Sequence, residues 1–416
     1  MTKPALVRNY NLNYELKVLK YIISLCLYMY LIVDTIAGFL VSRHLPNIGQ
    51  LYKILLVFLM LIYIAATNKN FVLIISFLFA WMFIIPLNFI FSEFANFSQS
   101  IMIIFKTISV FIFYEYFQED INSEELDKIF KINYIVFILN ILAGVLGFAK
   151  GTYSYGEESV GTTGFFYAGN EVTFTFICLS FWFITRGNMK KNLKYILSIL
   201  LSVMIGTKSG MLGILLLIFF DVYFSAKPKN RVKIVIRSLL IVSLIIFIVY
   251  NFLQQNPLYQ YIAFKIKQHL GRGKFPILNA LLSGRLERLP IITEIYENNF
   301  SFSTFLLGLG FPNPVKRIEM DFFEYYYYFG FIAFFFLFLF YLNILYLSYK
   351  KNNKRQFWFN VVCIIISFLA GHIVYSVMGG LFFAMINSPS YSETICYKPK
   401  KRKISRINHI IFSFHS

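Results

Sequence analysis

Long apolar runs alternate with short polar connections along the 416 residues, and the alternation breaks once, over a long polar stretch near the middle of the second half. The runs are Val18–Leu40, Leu51–Ala66, Phe71–Phe91, Ile101–Phe117, Ile132–Phe148, Phe165–Thr185, Leu193–Ile205, Gly210–Phe224, Ile234–Tyr250, Phe322–Leu347 and Phe357–Ile386. A helix needs ~20 mostly apolar residues to cross a bilayer, so each run reads as a membrane span. The last run is too long for one crossing and too short for two full ones. Divided near Tyr375 into a helical hairpin, it brings the total to about twelve crossings. Pro86 removes a backbone donor and kinks the third span. A β-barrel is excluded, because barrel strands alternate in polarity over ~10 residues. The expectation is an all-α polytopic membrane protein.

Residues 251–321 are the exception. This segment carries Lys265, Lys267, Arg272, Lys274, Arg285, Arg288, Lys316 and Arg317 among Gly and Pro turns. It divides the chain into helices 1–9 (residues 1–250), a long loop (251–321), helices 10–12 (322–388) and a basic tail (389–416). Composition agrees with the class: 58% of residues are hydrophobic and only 14% charged, against roughly a quarter charged in a soluble domain. The net charge of +19 does not indicate nucleic acid, since Lys and Arg cluster in short loops beside the spans, where membrane orientation is set. Counting them places both termini in the cytoplasm of a bacterial plasma (inner) membrane protein and the 251–321 loop outside. The acidic connection from Glu119 to Lys131 fits that count poorly. The N-terminus has no small-residue cleavage site after its first run, so that span is expected to be retained. Cys26, Cys178 and Cys363 lie within spans and Cys396 in the tail, and no disulfide framework is expected.

Cations on a long outer loop call for an anionic ligand. Arg285 and Arg288, at i and i+3, share a helix face. Leu286, Leu289, Ile292 and Ile295 fall on the opposite, apolar side, which describes a helix resting on the bilayer surface. The planar guanidinium fork suits phosphate oxygens, although Arg288 has Glu287 and Glu294 as alternative partners and both arginines could anchor to lipid headgroups. Lys208, in Gly206-Thr207-Lys208, follows a run too short for a full crossing and is recessed, a depth at which ionisable groups mark sites or pathways. It is equally a snorkelling lysine at a tight turn.

At the end of the loop, Glu319, Asp321 and Glu324 offer carboxylates. Asp321, Glu324, Tyr325 and Tyr328 share a face, and a carboxylate there is a candidate general base. As helix-start acids they are also simple dipole partners. Two carboxylates are too few for a metal site, and no metal or cofactor is assigned. Asn170, Glu171, His372 and Asp34 are the remaining polar groups in apolar runs. Each alone reads as an interhelical hydrogen-bonder, but with Lys208 all map to the outer ends of their spans.

Several stretches in order, Gly164-Phe-Phe-Tyr-Ala-Gly-Asn170-Glu171, Gly206-Thr-Lys208, Ser283-Gly-Arg285, Leu307-Gly-Leu-Gly-Phe311, Glu319-Met-Asp321 and Gly371-His372, resemble motifs of the O-antigen polymerase and ligase superfamily. The layout, many spans with one large outer loop, is similar across nearly the whole chain. The resemblance implies a GT-C-like membrane glycosyltransferase that takes polyprenyl-diphosphate-linked glycan and extends it as O-antigen or capsule polysaccharide. It implies that Arg285 and Arg288 hold the donor diphosphate and that Lys208 takes the place of a basic residue at the start of the eighth span. Asn170, Glu171 and His372 are expected as further substrate-binding groups, and Glu319 or Asp321 as the group that orients or deprotonates the acceptor hydroxyl. Ligases of the superfamily commonly show a His-Asn pair where this chain has Glu319-Met-Asp321. Partners implied are lipid-linked oligosaccharides, membrane lipids and a chain-length regulator. A ligase and a lipid-linked oligosaccharide flippase are the rival readings. Internal repeats and midplane sites expected of a transporter are not seen in the sequence.

Overall fold

A computed structural model describes residues 4–67, 97–119, 121–155, 158–166, 169–187, 189–237, 240, 282, 285–310, 318–371, 373 and 375–391. The expected third span with Pro86, most of the ninth span, the first part of the polar loop, residues 311–317, His372 and the basic tail lie outside these.

The helices follow the apolar runs: α1 (Pro4–Ser42), α2 (Ile48–Thr67), α3 (Phe97–Gln118), α4 (Ser123–Val145), α5 (Gly169–Arg186), α6 (Lys191–Ile205) and α7 (Lys208–Ser225). After the loop come α8 (Arg288–Asn298), the short α9 (Phe302–Leu307), α10 (Asp321–Lys350), α11 (Lys354–Leu369) and α12 (Val377–Ile386). Among the described residues, six helices are long and apolar enough to cross a membrane. Burial is greatest at the centre, where α5 is buried from Glu171 to Ile184 and α12 throughout.

The structure departs from the expected all-α bundle at four places. First, β1 (Lys150–Tyr155) and β2 (Glu158–Gly164) form an antiparallel hairpin with Tyr153 opposite Val160. Thr152 Oγ1 donates to Ile205 O at 2.7 Å, and Asn140 of α4 brackets the end of the hairpin through Thr163 O and Phe165 N–H. Second, the acidic Glu119–Lys131 connection is mostly helix. Asn122 caps α4 by accepting from Glu124 N–H at 3.0 Å, and Glu124 and Glu125 fill the first turn, where the helix dipole favours acids.

Third, the 357–386 run divides near Tyr375 as expected, but its second half is too short to count as a crossing. α11 has 16 residues and α12 only 10, separated by non-helical backbone around Tyr375. At 1.5 Å per residue α12 extends about 15 Å, half a hydrocarbon core. A buried helix that short must satisfy its open ends internally. Ser376 accepts from Gly379 N–H at 3.0 Å, and at the other end Gln356 Nε2 donates to Ile386 O at 2.9 Å. Asn360 and Asn387 pair beside that end at 2.8 and 3.0 Å.

Fourth, α10 is broken at Gly330 (φ 75°, ψ −178°), a conformation that side chains exclude. The carbonyls freed by the break are taken up by the preceding segment: Leu309 N–H donates to Tyr327 O at 2.9 Å and Gly310 N–H to Tyr328 O at 3.0 Å. Gly308 (φ 81°) faces Gly330, and a Cβ on either would stand 2.4–2.5 Å from the backbone nitrogen of the other. The 308–310 strap is thereby sewn to α10 and fixes where the chain turns toward residues 318–321.

Candidate functional site

Glu319 is the centre of the polar end of the bundle. Its carboxylate meets Arg288 Nη1 at 3.2 Å and Arg285 Nη2 at 3.4 Å. A 3₁₀ turn at residues 285–287 leads into α8, so the two arginines present together as their spacing predicts. Pro290 falls in the first turn of α8, where a missing N–H breaks no helical bond. Arg285 is further aimed by Nη1 donating to Leu369 O at 3.1 Å, while its buried Nε has no hydrogen-bond partner among the described residues.

The expected helix on the bilayer surface is not what holds the arginines. Ile292 is wholly buried, and Leu286, Leu289 and Ile295 pack against the protein core. The apolar side covers α10 and its neighbours, because that buries the same surface without leaving the helix free to drift.

Glu319 itself has φ 58°, a left-handed backbone unusual for a residue with a side chain. Two contacts hold it there. Its N–H donates to Glu324 Oε1 at 2.8 Å, and Gly371 lies so close that a Cβ would meet Glu319 C at 2.8 Å. Glu324, 1% exposed, also accepts from the Tyr375 hydroxyl through its second oxygen. Asp321 is 0% exposed and accepts from Ile373 N–H at 2.7 Å, tying the start of α10 to the α11–α12 connection. Of the carboxylates on this stretch, Glu319 alone reaches solvent, its side chain 35% exposed.

Lys208 opens α7 beyond Gly206, which ends α6 with left-handed backbone (φ 75°). It is exposed, near enough to Arg285 for the two cations to repel, and its turn is held by Thr207 against Thr173 at 2.8 Å. Asn170 is half-buried in the first turn of α5. Glu171 is instead paired with Lys106 of α3, and Asp34 with Lys53 of α2 at 2.8 Å. Residue 107, next to Lys106, contacts the Tyr325 hydroxyl, and Tyr325 packs on Tyr375. The structure therefore brings Arg285, Arg288, Glu319, Glu324 and Lys208 into one neighbourhood, with Glu171 and Asp34 in an adjoining charge-balanced layer. Lys53, Lys106 and Tyr375 were missed in the sequence reading. The two lysines carry the same signal that singled out Asp34, an ionisable group within an apolar run.

Beyond the arginines, α8 and α10 enclose an open groove of about 480 Å³ lined by Thr293, Tyr296, Glu297, Phe300, Tyr326 and Tyr327. Burial, with Tyr326 and Tyr327 beside it, pushes the Tyr296 phenol up, so it stays protonated at physiological pH.

Residues 263–390 match the family model described as O-antigen ligase like membrane protein. This is consistent with the O-antigen polymerase and ligase superfamily. The matched region holds Arg285, Arg288, Glu319 and Glu324, and excludes Lys208, Glu171 and Asp34. With the apolar helices, it indicates a membrane enzyme of O-antigen-related biosynthesis. No curated protein and no solved structure matches the chain.

Proposed function

We propose that this protein is a polysaccharide polymerase, transferring a glycan from polyprenyl diphosphate onto a lipid-linked repeat unit at the outer face of the plasma membrane. The observation that carries the reading is the pair of arginines sharing one partly exposed carboxylate within the family-matched region. Two guanidinium groups on one carboxylate leave a net positive charge, the complement of a diphosphate. In the reaction the acceptor hydroxyl oxygen attacks the anomeric carbon. The bond from that carbon to the diphosphate oxygen breaks, and the diphosphate leaves with the electron pair. Arg285 and Arg288, with Lys208 nearby, stabilise the charge developing on the leaving group. Glu319 takes the hydroxyl proton once the diphosphate has replaced it on the arginines. Asp321 and Glu324, buried and engaged with Ile373, Tyr375 and Glu319, position this base. Asn170 and His372 are proposed as groups on the substrate side of the same end, and a chain-length regulator as a partner.

A ligase is the second reading, favoured by the description of the matched family. Purified protein incubated with lipid-linked repeat units alone decides. A ladder of products supports the polymerase. Transfer only to an added second acceptor supports the ligase, and no new glycosidic bond under either condition overturns both.

A further inference from the structure

We infer that the groove between α8 and α10 is a glycan subsite, holding uncharged sugar rings next to the diphosphate; this rests on the proposed function. The groove combines the two surfaces that sugars need. Tyr326, Tyr327 and Phe300 supply aromatic surface for the C–H sides of the rings, backed by the buried Tyr296, and Glu297 and Thr293 supply hydrogen-bonding groups for hydroxyls. Its framework is built: Thr293 and Tyr327 hydroxyls meet at 2.9 Å, and the Tyr296 ring lies 5.4 Å from Tyr327 and 5.8 Å from Tyr326.

An aromatic groove in a membrane protein has a simpler reading as an interfacial belt facing lipid. The rim argues against it here. Glu294, Glu297, Asn298, Asn299 and Ser301 are all exposed around the groove, and carboxylates are costly to place against hydrocarbon. Phe300 is 62% exposed in this polar company. Among the described residues the lining contains a carboxylate and no cation, which favours an uncharged sugar over a second diphosphate or an acidic one.

Position supplies the link to the chemistry. Thr293 and Tyr296 follow Arg288 on the same helix by about 7.5 and 12 Å of rise. That is the reach of a short oligosaccharide whose diphosphate sits on the arginines.

The test compares two lipid probes on detergent-purified full-length protein: undecaprenyl diphosphate alone, and the same lipid carrying the repeat unit, extracted from the native host's membranes. Phe300→Ala and Glu297→Gln alter exposed side chains. Combined, they should weaken binding of the glycan-bearing lipid about tenfold, from one aromatic and one hydrogen-bonding contact, and leave undecaprenyl diphosphate unchanged. Arg288→Ala should weaken both probes. Groove variants that weaken both probes alike, or neither, overturn the subsite while leaving the arginine reading intact. Wild-type protein that binds neither probe overturns the subsite together with the proposed function.

Discussion

Each end of the bundle has one carboxylate shared by two cations, and the two arrangements differ in every respect that governs exchange. Asp221, at one end, meets Lys191 at 2.8 Å and Arg355 at 3.0 Å and accepts from the Tyr195 hydroxyl at 2.6 Å. Its side chain is 7% exposed and its backbone is ordinary helix. Glu319, at the other end, meets its arginines at 3.2 and 3.4 Å, is 35% exposed and has left-handed backbone. The first cluster is closed and pins α6, α7 and α11 together. The second is loosely paired, strained and open, and the proposed diphosphate binding rests on that difference. Both are ion clusters of the same stoichiometry, and geometry alone separates the fastener from the proposed docking place.

Substitutions at the open cluster should act on chemistry. Arg285→Lys or Arg288→Lys keeps the charge but loses the fork, and polymer formed by membrane vesicles from lipid-linked repeat units should fall about 10²–10³-fold. Unchanged ladders in both variants would remove the proposed catalytic role. Glu319→Gln should lower the same rate by about 10²-fold with little change in thermal stability in detergent. A loss of stability equal to that of Asp221→Ala would mean that the two clusters are alike.

Substitutions at the closed cluster should act on folding. Asp221→Ala leaves Lys191 and Arg355 facing each other, and because both are partly exposed the expected destabilisation is roughly 1–3 kcal/mol. Thermal unfolding followed by size-exclusion chromatography measures it, and polymer output per folded molecule should hold. A stability effect at least as large is expected at the break in α10. Gly330→Ala forces a side chain into an excluded conformation at a cost of about 1–3 kcal/mol and sets its Cβ 2.4 Å from Gly308 N, a backbone clash that adds to that cost. A stability unchanged within error would show that the break in α10 is not obligatory.

What the sequence made legible follows from what is local. The ends of α2, α3, α6 and α7 fall within a few residues of the apolar runs, since a bilayer span is a property of composition over one window. The spacing of Arg285 and Arg288 placed them together because helical periodicity is equally local. Their partner Glu319 lies more than thirty residues onward, and nothing in either stretch announces the pairing. The hairpin at 150–164 reads as a polar loop, its Thr, Ser and Gly content outweighing its two Tyr and one Val. The break at Gly330 sits in an unbroken aromatic run without proline, so hydropathy passes straight over it. The acidic 119–131 stretch was the misfit of the charge count, and the structure gives the reason: Asp127 pairs with Arg186 at 2.8 Å, so part of its charge is neutralised by a cation of the same end.

Gly308 and Gly330 press backbone against backbone, each occupying the space a substituent on the other would need. Change at one therefore finds no compensating change at its mate, because neither has anything left to shrink. A double substitution should be no better tolerated than either single one. The broken span thus owes its shape to what these two residues lack, and a methyl group at either would prise the strap from the helix.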